Sequence, residues 1–157
     1  MTIRPAVPED LPLIVALIRE LAAYERLSDA VRLDPEVLGG HLFGARPMAE
    51  VLIAEADGAA CGFALFFANF STFEGRPGLY LEDLFVREAA RGQGLGKALF
   101  AALARLALER GCARLDWAVL DWNAPSIAFY RRLGAMSLDD WTGMRLSGAD
   151  LRRLAAA

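Results

Sequence analysis

A glycine-rich stretch at residues 91–97 has the residue types of an anion-binding loop. Its sequence is Arg-Gly-Gln-Gly-Leu-Gly-Lys, with glycines at alternate positions and a cation at each end. It follows an apolar, strand-like run and leads into an Ala/Leu-rich helical pattern. The start of a helix offers unpaired N–H groups and the positive end of the helix dipole. The stretch therefore predicts a pyrophosphate site on a strand–loop–helix unit.

Two better-known phosphate loops do not fit this stretch. A Walker A loop would need a glycine in place of Arg91 and a hydroxyl in place of Ala98. The dinucleotide fingerprint would need a third glycine where Lys97 stands. A tight turn is the structural alternative, but a turn needs one or two glycines and no flanking cations. The pattern thus favours an anion other than a nucleoside triphosphate or a dinucleotide.

Two adjacent carboxylates, Glu82 and Asp83, lie inside the apolar run at residues 79–86. Burial of a carboxylate in such a run costs free energy, so its presence indicates a functional or structural role. Because side chains alternate along a strand, the two are expected on opposite faces of the sheet. One of them could act as a general base, and the other could bind substrate or have a structural role. A salt-bridged pair at a strand end is the structural alternative.

The surrounding pattern predicts the elements that position these residues. Strands are expected over 2–4, 50–56, 62–70, 79–86, 114–120 and 142–146, and helices from residue 8 and over 34–40, 95–110 and 123–133. Asp57-Gly58 is a hairpin turn signal. This order predicts an α/β fold in one domain, residues 1–157. Its sheet is mixed and mostly antiparallel, with helices on both faces in three α-β-α layers. Strands 79–86 and 114–120 are expected to be parallel neighbours. Ligands are expected to bind at the carboxyl ends of these strands.

Composition limits the kinds of partner and site. The net charge of −3 and pI near 5.2 argue against nucleic acid. No apolar run has the length of a membrane span and the first residues contain no signal-peptide pattern, so a cytoplasmic protein is expected. Cys61 and Cys112 are expected as reduced, packed thiols. With His41 as the single histidine and no cysteine pair at ligand spacing, no metal site is expected.

Four segments of the chain resemble the GNAT superfamily of N-acetyltransferases. The glycine loop after Leu-Phe-Val is similar to the acetyl-CoA-binding signature of that superfamily. Three others resemble its spermidine/spermine (diamine) N-acetyltransferase branch: residues 19–25, Arg-Glu-Leu-Ala-Ala-Tyr-Glu; residues 80–86, Tyr-Leu-Glu-Asp-Leu-Phe-Val; and residues 122–135, which begin Trp-Asn-Ala-Pro-Ser. The likeness covers nearly the whole chain and is strongest over residues 79–135.

The resemblance implies acetyl-CoA as the cofactor and a set of residues that hold it. The backbone of the strand end would pair with the pantetheine arm, and a backbone N–H there would polarise the thioester carbonyl. The loop would hold the pyrophosphate. The implied cofactor-binding residues are Leu84, Phe85, Val86, Arg91, Gly92, Gln93, Gly94, Leu95, Gly96, Lys97, Asn123, Ser126 and Tyr130.

Two residues are the candidates for proton transfer in this reaction. A primary alkylamine is mostly protonated at neutral pH, so a base must remove a proton before attack, and Glu82 is the candidate, acting through water. Tyr130, with a phenol pKa of about 10, suits donation to the departing thiolate. Tyr130 shares a helix face with Ser126 and Asn123. A core aromatic and a simple helix cap remain the alternatives for Tyr130 and Asn123.

Aromatic and acidic residues are candidates for holding an ammonium group. The substrate-binding set comprises Tyr24, Glu25, Glu82, Asp83 and Trp122. Trp122, Trp141 and Tyr24 could form a cation–π wall, with Glu25, Asp121 or Asp139 nearby. Core packing is the alternative for the aromatics.

The sequence thus predicts an acetyl-CoA-dependent N-acetyltransferase that acts on a small amine, and diamines or polyamines are the first candidates for the acceptor. Attack would be direct, in a ternary complex, because neither cysteine is placed as a nucleophile. The short turn at Asp57-Gly58, where the branch's eukaryotic-type members carry a longer insertion, leaves polyamine specificity open. An amino-acid or thialysine acceptor, or a non-catalytic CoA-binding module, is the alternative. The resemblance also implies a homodimer.

Overall fold

The computed structural model describes residues 1–157, which form two compact units, Met1–Ala118 and Val119–Ala157. The first unit contains β1 (Thr2–Pro5), α1 (Leu11–Tyr24), α2 (Pro35–Phe43), β2 (Glu50–Ala56), β3 (Ala59–Ser71), β4 (Arg76–Val86), α3 (Leu95–Glu109) and β5 (Leu115–Trp117). The second contains α4 (Ala124–Arg132) and α5 (Gly148–Ala155). That the chain is a single domain stays a prediction.

The five strands form one sheet in the order β1-β2-β3-β4-β5. The pairs β1–β2, β2–β3 and β3–β4 are antiparallel, whereas β4 and β5 are parallel neighbours. Asp57 and Gly58 join β2 to β3 with φ values of 51° and 76°, which the primed hairpin turns require. The predicted mixed, mostly antiparallel sheet, its hairpin and its parallel pair are all confirmed.

One face of the sheet is covered by α1 and α2. The amphipathic pattern of α1 buries Ile14, Leu17 and Leu21, and α2 adds Leu42. These residues pack with Val51, Ile53, Phe63, Leu65 and Phe85 from the strands. Burying a side chain of this size contributes about 1.5–3 kcal/mol, so this cluster fixes α1 against β3 and β4.

Helix α3 covers the opposite face. Its buried side chains include Leu95, Leu99 and Leu103, and Phe100 packs edge-on against Trp117 of β5 with ring centroids 4.9 Å apart. The alternate strand residues, such as Leu79 and Leu81, are buried on this side. Helices therefore lie on both faces of the sheet, as predicted.

A β-bulge interrupts β4 at Glu82. Leu65 of β3 pairs with Asp83, but the next residue, Phe66, pairs with Leu81, so Glu82 has no partner on β3. A bulge breaks the alternation of side chains between the two faces. The prediction that Glu82 and Asp83 lie on opposite faces assumed a regular alternation of side chains, and that alternation does not hold at the bulge. Asp83 shares the α1 side of the sheet with Leu65 and Phe85, whereas Glu82 is exposed.

Two predicted element ends are wrong. Helix α2 does not end at Gly39-Gly40 but continues to Phe43, because burial of Leu42 outweighs the cost of glycine in a helix. Strand β5 ends at Trp117 rather than at residue 120, because β4 provides a partner only over Leu79, Tyr80 and Leu81.

The predicted strand at residues 142–146 is absent, and helix α5 follows it instead. Met144 and Leu146 alternate, but the segment has no pairing partner and a lone strand is not stable. Signals for α5 were present in the sequence: Ser147 precedes the helix, Asp150 lies in its first turn, and Arg152 and Arg153 lie in its last.

The helices give no sign of a membrane-spanning segment. None of them combines the length and the apolar character that crossing a bilayer requires.

Two glycine substitutions should have opposite effects on stability. Gly40 lies inside α2 with open space around it, so Gly40→Ala should raise the free energy of unfolding by about 1 kcal/mol. A Cβ at Gly62 would lie 2.7 Å from the carbonyl oxygen of Phe85, so Gly62→Ala should cost about 1–3 kcal/mol. Urea denaturation measures both changes. A Gly62→Ala variant as stable as the unsubstituted protein would contradict the close approach of β3 to β4.

Candidate active site

The glycine loop presents an open helix N-terminus. Gly92 and Gly94 have φ values of 77° and 85°, which L side chains rarely adopt, so glycine is required at both positions. Gly94 is the N-cap of α3, and no side chain caps the helix. The first N–H groups of α3 consequently have no partner within the helix and can donate to an anion. Lys97 is exposed in the first turn and adds positive charge.

The end of β4 next to this loop has an unpaired edge. Strand β5 pairs with β4 only as far as Leu81, so residues 83–86 have β3 on one side and no strand neighbour on the other. Leu84, Phe85 and Val86 lie within this segment. An extended ligand with amide groups can add to such an edge as a strand does.

Asp83 lies at the start of this free edge, close to two other carboxylates. Burial, with added repulsion from Glu82 and Glu25, raises the pKa of its carboxyl to about 6. Burial also raises the pKa of Glu25. The structure therefore brings three of the predicted substrate-binding carboxylates close enough to repel one another, and an incoming ammonium group would relieve that repulsion.

The carboxyl end of α1 supplies Glu25 together with Tyr24. The helix ends here because Arg26 adopts a left-handed conformation with φ 62°, and Leu27 N–H donates to the carbonyl of Ala22. The Tyr24 ring lies 6.5 Å from that of Phe85, measured between centroids. The end of α1 thus places both residues beside the free part of β4.

Arg91 adopts a position that the sequence did not indicate. Its guanidinium lies over the Tyr24 ring at 4.7 Å and over the Phe85 ring at 5.8 Å, and its Nε donates to the carbonyl of Val86 at 2.9 Å. In this arrangement the first cation of the glycine loop also contacts the predicted wall of the amine site.

An ion pair that sequence reasoning missed fixes α1 against the end of β4. Arg87 donates from Nε and Nη2 to the two carboxylate oxygens of Glu20 at 2.8 and 2.7 Å, and from Nη1 to the carbonyl of Ala60 at 3.1 Å. Such bidentate pairs impose geometry as well as energy. No local signal could have found it, because Glu20 and Arg87 are far apart in sequence.

The second unit holds the remaining predicted site residues. The Asn123 side chain accepts from the Ser126 N–H at 3.3 Å, so Asn123 caps α4 as expected. Tyr130 follows one turn after Ser126, and its ring lies 5.4 Å from that of Phe129. Trp122 precedes the cap and is half-exposed. The roles of these residues in binding and catalysis stay predictions.

Comparison with known proteins identifies the family. Residues 16–135 match the acetyltransferase (GNAT) family. The chain is 40% identical to thialysine N-epsilon-acetyltransferase of Bos taurus, over 98% of this chain and 96% of that protein. It is 34% identical to a spermidine/spermine N(1)-acetyltransferase-like protein of Homo sapiens, over 92% of this chain and 22% of that protein.

A solved structure has the same fold. An integron cassette protein from the mobile metagenome of V. cholerae aligns with a TM-score of 0.81 and 27% identity, over 99% of this chain and 98% of the other. The chain belongs to the GNAT family and is an acetyltransferase. The predicted resemblance is confirmed, and members of this family generally use acetyl-CoA.

Replacing Asp83 by asparagine should stabilise the protein at neutral pH. The folded-state pKa of Asp83 lies above the ordinary value of 3.8, so ionisation of this carboxyl lowers stability progressively as the pH rises from 3.8 to about 6 and has its full effect above that. At pH 7.5 Asp83→Asn should therefore gain up to about 3 kcal/mol, and at pH 3.5 the gain should vanish. Thermal unfolding at both pH values measures it. An exposed carboxylate outside the cluster gives the control, Glu74→Gln, which should change stability by less than about 0.5 kcal/mol.

Proposed function

We propose that this protein transfers an acetyl group from acetyl-CoA to a primary amine of a small molecule, by direct attack in a ternary complex. The observation that carries the proposal is the acidic cluster of Glu25, Glu82 and Asp83 beside the unpaired end of β4. The cluster offers a cation site, and the strand edge offers a place for an amide-bearing cofactor.

The residues present fit acetyl-CoA. The open N–H groups at the start of α3 suit its pyrophosphate, with Lys97 and Arg91 as the nearby cations. The unpaired backbone at Leu84, Phe85 and Val86 suits the amide groups of its pantetheine arm. When bound, acetyl-CoA supplies an activated acetyl thioester. Cys61 is buried and its thiol donates to the carbonyl of Ala54, which supports transfer without a cysteine-bound intermediate.

The acidic cluster would bind the amine as its ammonium ion and then remove a proton. Glu82 remains the proposed general base, through water, and it is the exposed member of the cluster. Asp83 is a second candidate, because a carboxyl with a pKa of about 6 holds a proton better than an ordinary one. Arg91 already covers one face of the Tyr24 ring, so the aromatic surface that Tyr24 would offer to the ammonium is the other face. Tyr130 is the proposed acid for the thiolate, from the resemblance.

The proposed acceptor is a small aliphatic primary amine that carries a second cationic group. Diamines and polyamines have this character, and so does the amino acid named for the bovine relative. The resemblance further supports a homodimer, and the free thiols of Cys61 and Cys112 support a cytoplasmic location. A non-catalytic acyl-CoA sensor is the competing function.

The purified protein should release CoA thiol from acetyl-CoA when a suitable amine is present. A panel of putrescine, spermidine, thialysine and free amino acids, followed with a thiol reagent, tests this. Tyr130→Phe should lower kcat by about 10²–10⁴-fold while leaving the Kd for acetyl-CoA within about twofold, because it removes only the donated proton.

Calorimetric titration with acetyl-CoA distinguishes the alternatives. Binding without thiol release for any amine would favour the sensor and refute the enzyme. Unchanged kcat in Tyr130→Phe would remove Tyr130 from the acid role while leaving acetyl transfer intact.

The rate should depend on pH through the acidic cluster. Because the pKa of Asp83 is raised to about 6, kcat/KM should fall about tenfold per pH unit below pH 6 as this carboxylate takes up a proton. In Asp83→Asn this limb should disappear or move below pH 5. A limb that stays near pH 6 in Asp83→Asn would assign it to another group.

A further inference from the structure

The second unit, Val119–Ala157, contains no buried apolar side chain. Its one buried residue is Asn123, and neither α4 nor α5 has a buried member. A unit of fewer than about 40 residues usually needs a disulfide, a metal or association with another chain to be stable. The unit has neither cysteine nor histidine, so it can form no disulfide and lacks the usual zinc ligands. Association is the remaining way to cover its apolar side chains.

These apolar side chains are concentrated in one segment, which we call the 136–154 surface. Its large apolar residues have exposed fractions from 47% to 90%, and they are Met136, Leu138, Trp141, Met144, Leu146, Leu151 and Leu154. At roughly 150–200 Å² for a fully exposed large side chain, the seven together present roughly 800 Å². One partner in an interface of standard size buries about the same area. Single exposed apolar residues are ordinary, whereas such a concentration marks an interaction surface.

Helix α5 carries part of this surface on one side. Leu151 and Leu154 are three residues apart, so they lie on the same side of the helix. Asp150 and Arg153 are also three apart and form an ion pair of 2.6 Å beside them. An amphipathic helix of this kind normally buries its apolar stripe. Here both leucines are exposed, so the stripe has the form of a contact face.

The charges of the 136–154 surface favour a second copy of the chain as its partner. The surface has three acidic and three basic side chains, so it is neutral although the whole chain has a net charge of −3. Its first charges are Asp139 and Asp140, and its last are Arg152 and Arg153. When two copies pair antiparallel about a twofold axis, the acidic start of one surface lies beside the basic end of the other. An anionic membrane or a nucleic acid would require an excess of basic residues.

We propose that the 136–154 surface is the interface through which two copies of this chain form a twofold symmetric dimer. The resemblance implies a homodimer without specifying the surface that forms it, and the proposal does not depend on acetyl transfer. The seven apolar side chains are buried between the two copies, and the α5 stripe of one copy contacts that of the other. Because a twofold interface is closed, association stops at the dimer.

The oligomeric state of the full-length protein tests the proposal directly. Sedimentation equilibrium should give about twice the chain mass of 17.1 kDa, with dissociation to single chains on dilution. The mass of a single chain up to the highest soluble concentration would overturn the proposal.

Substitutions locate the interface. The double variant Leu151→Glu, Leu154→Glu places two charges in the α5 stripe and should raise the Kd of the dimer at least about a hundredfold. Phe73→Glu is the matched control, because Phe73 is 99% exposed in the first unit, and it should change the Kd by less than about twofold. All three positions are exposed, so each single chain should keep its fold, which circular dichroism checks. A dimer that survives the double variant, or that only Phe73→Glu disrupts, would place the interface elsewhere and refute the proposal.

Trp141 gives a measurement that does not depend on those variants. It is 78% exposed, so dimer formation should shield it from acrylamide as the protein concentration rises through the Kd. Trp141→Phe should remove this concentration-dependent part of the quenching. Shielding of Trp141 at concentrations where sedimentation shows single chains would mean that the segment packs within its own chain, and would overturn the proposal.

The proposal and the proposed function can fail separately. A dimer that the double variant dissociates, in a protein that releases no thiol with any amine, supports the interface and refutes the enzyme assignment. A protein that releases thiol but sediments as a single chain at every concentration refutes the interface alone.

Discussion

The pairing of β4 is the constraint on which the rest of the site depends. Its antiparallel pairing with β3 runs the length of the strand, but a bulge at Glu82 removes one residue from it, and the parallel pairing with β5 ends at Leu81. Both interruptions occur at the same place. The backbone after these interruptions has a free edge. The side chains of Glu82 and Asp83 no longer follow the regular alternation between the two faces of the sheet. A cofactor edge and an acidic site thereby become neighbours.

The electrostatics of this arrangement oppose stability. Asp83 is partly buried beside Glu82 and Glu25, and this burial, with added repulsion from the two carboxylates, raises its pKa to about 6. An apolar or amide side chain would fit the fold better. A cluster of uncompensated carboxylates is instead suited to a cationic ligand, and strain of this kind is characteristic of functional sites. The apolar packing of α1 and the Glu20–Arg87 ion pair hold the helix that supplies Tyr24 and Glu25 against the sheet, which opposes relief of the repulsion by a shift of α1.

Most of the fold followed from local patterns, and the errors have physical causes. The first four strands, the hairpin at Asp57-Gly58 and the helix after the glycine loop were predicted because their signals are local: periodicity, turn residues and caps. Helix α2 was cut short because burial of Leu42 is a tertiary effect that overrides glycine propensity. The strand at residues 142–146 was expected from its apolar alternation, but a strand also needs a partner, and the sequence alone does not show whether one is available.

The sequence by itself determined the family, the anion-binding loop and the residue types for acyl transfer to an amine, because each of these depends on residues close together in the chain. Only the tertiary structure decided which groups meet. It placed Glu25 beside Asp83 and Arg91 over Tyr24, and it joined Asn69 to Asp116 across β4. These contacts depend on strand register and on where pairing stops. A one-residue bulge changes both, and nothing in the spacing of Glu82 and Asp83 predicts it.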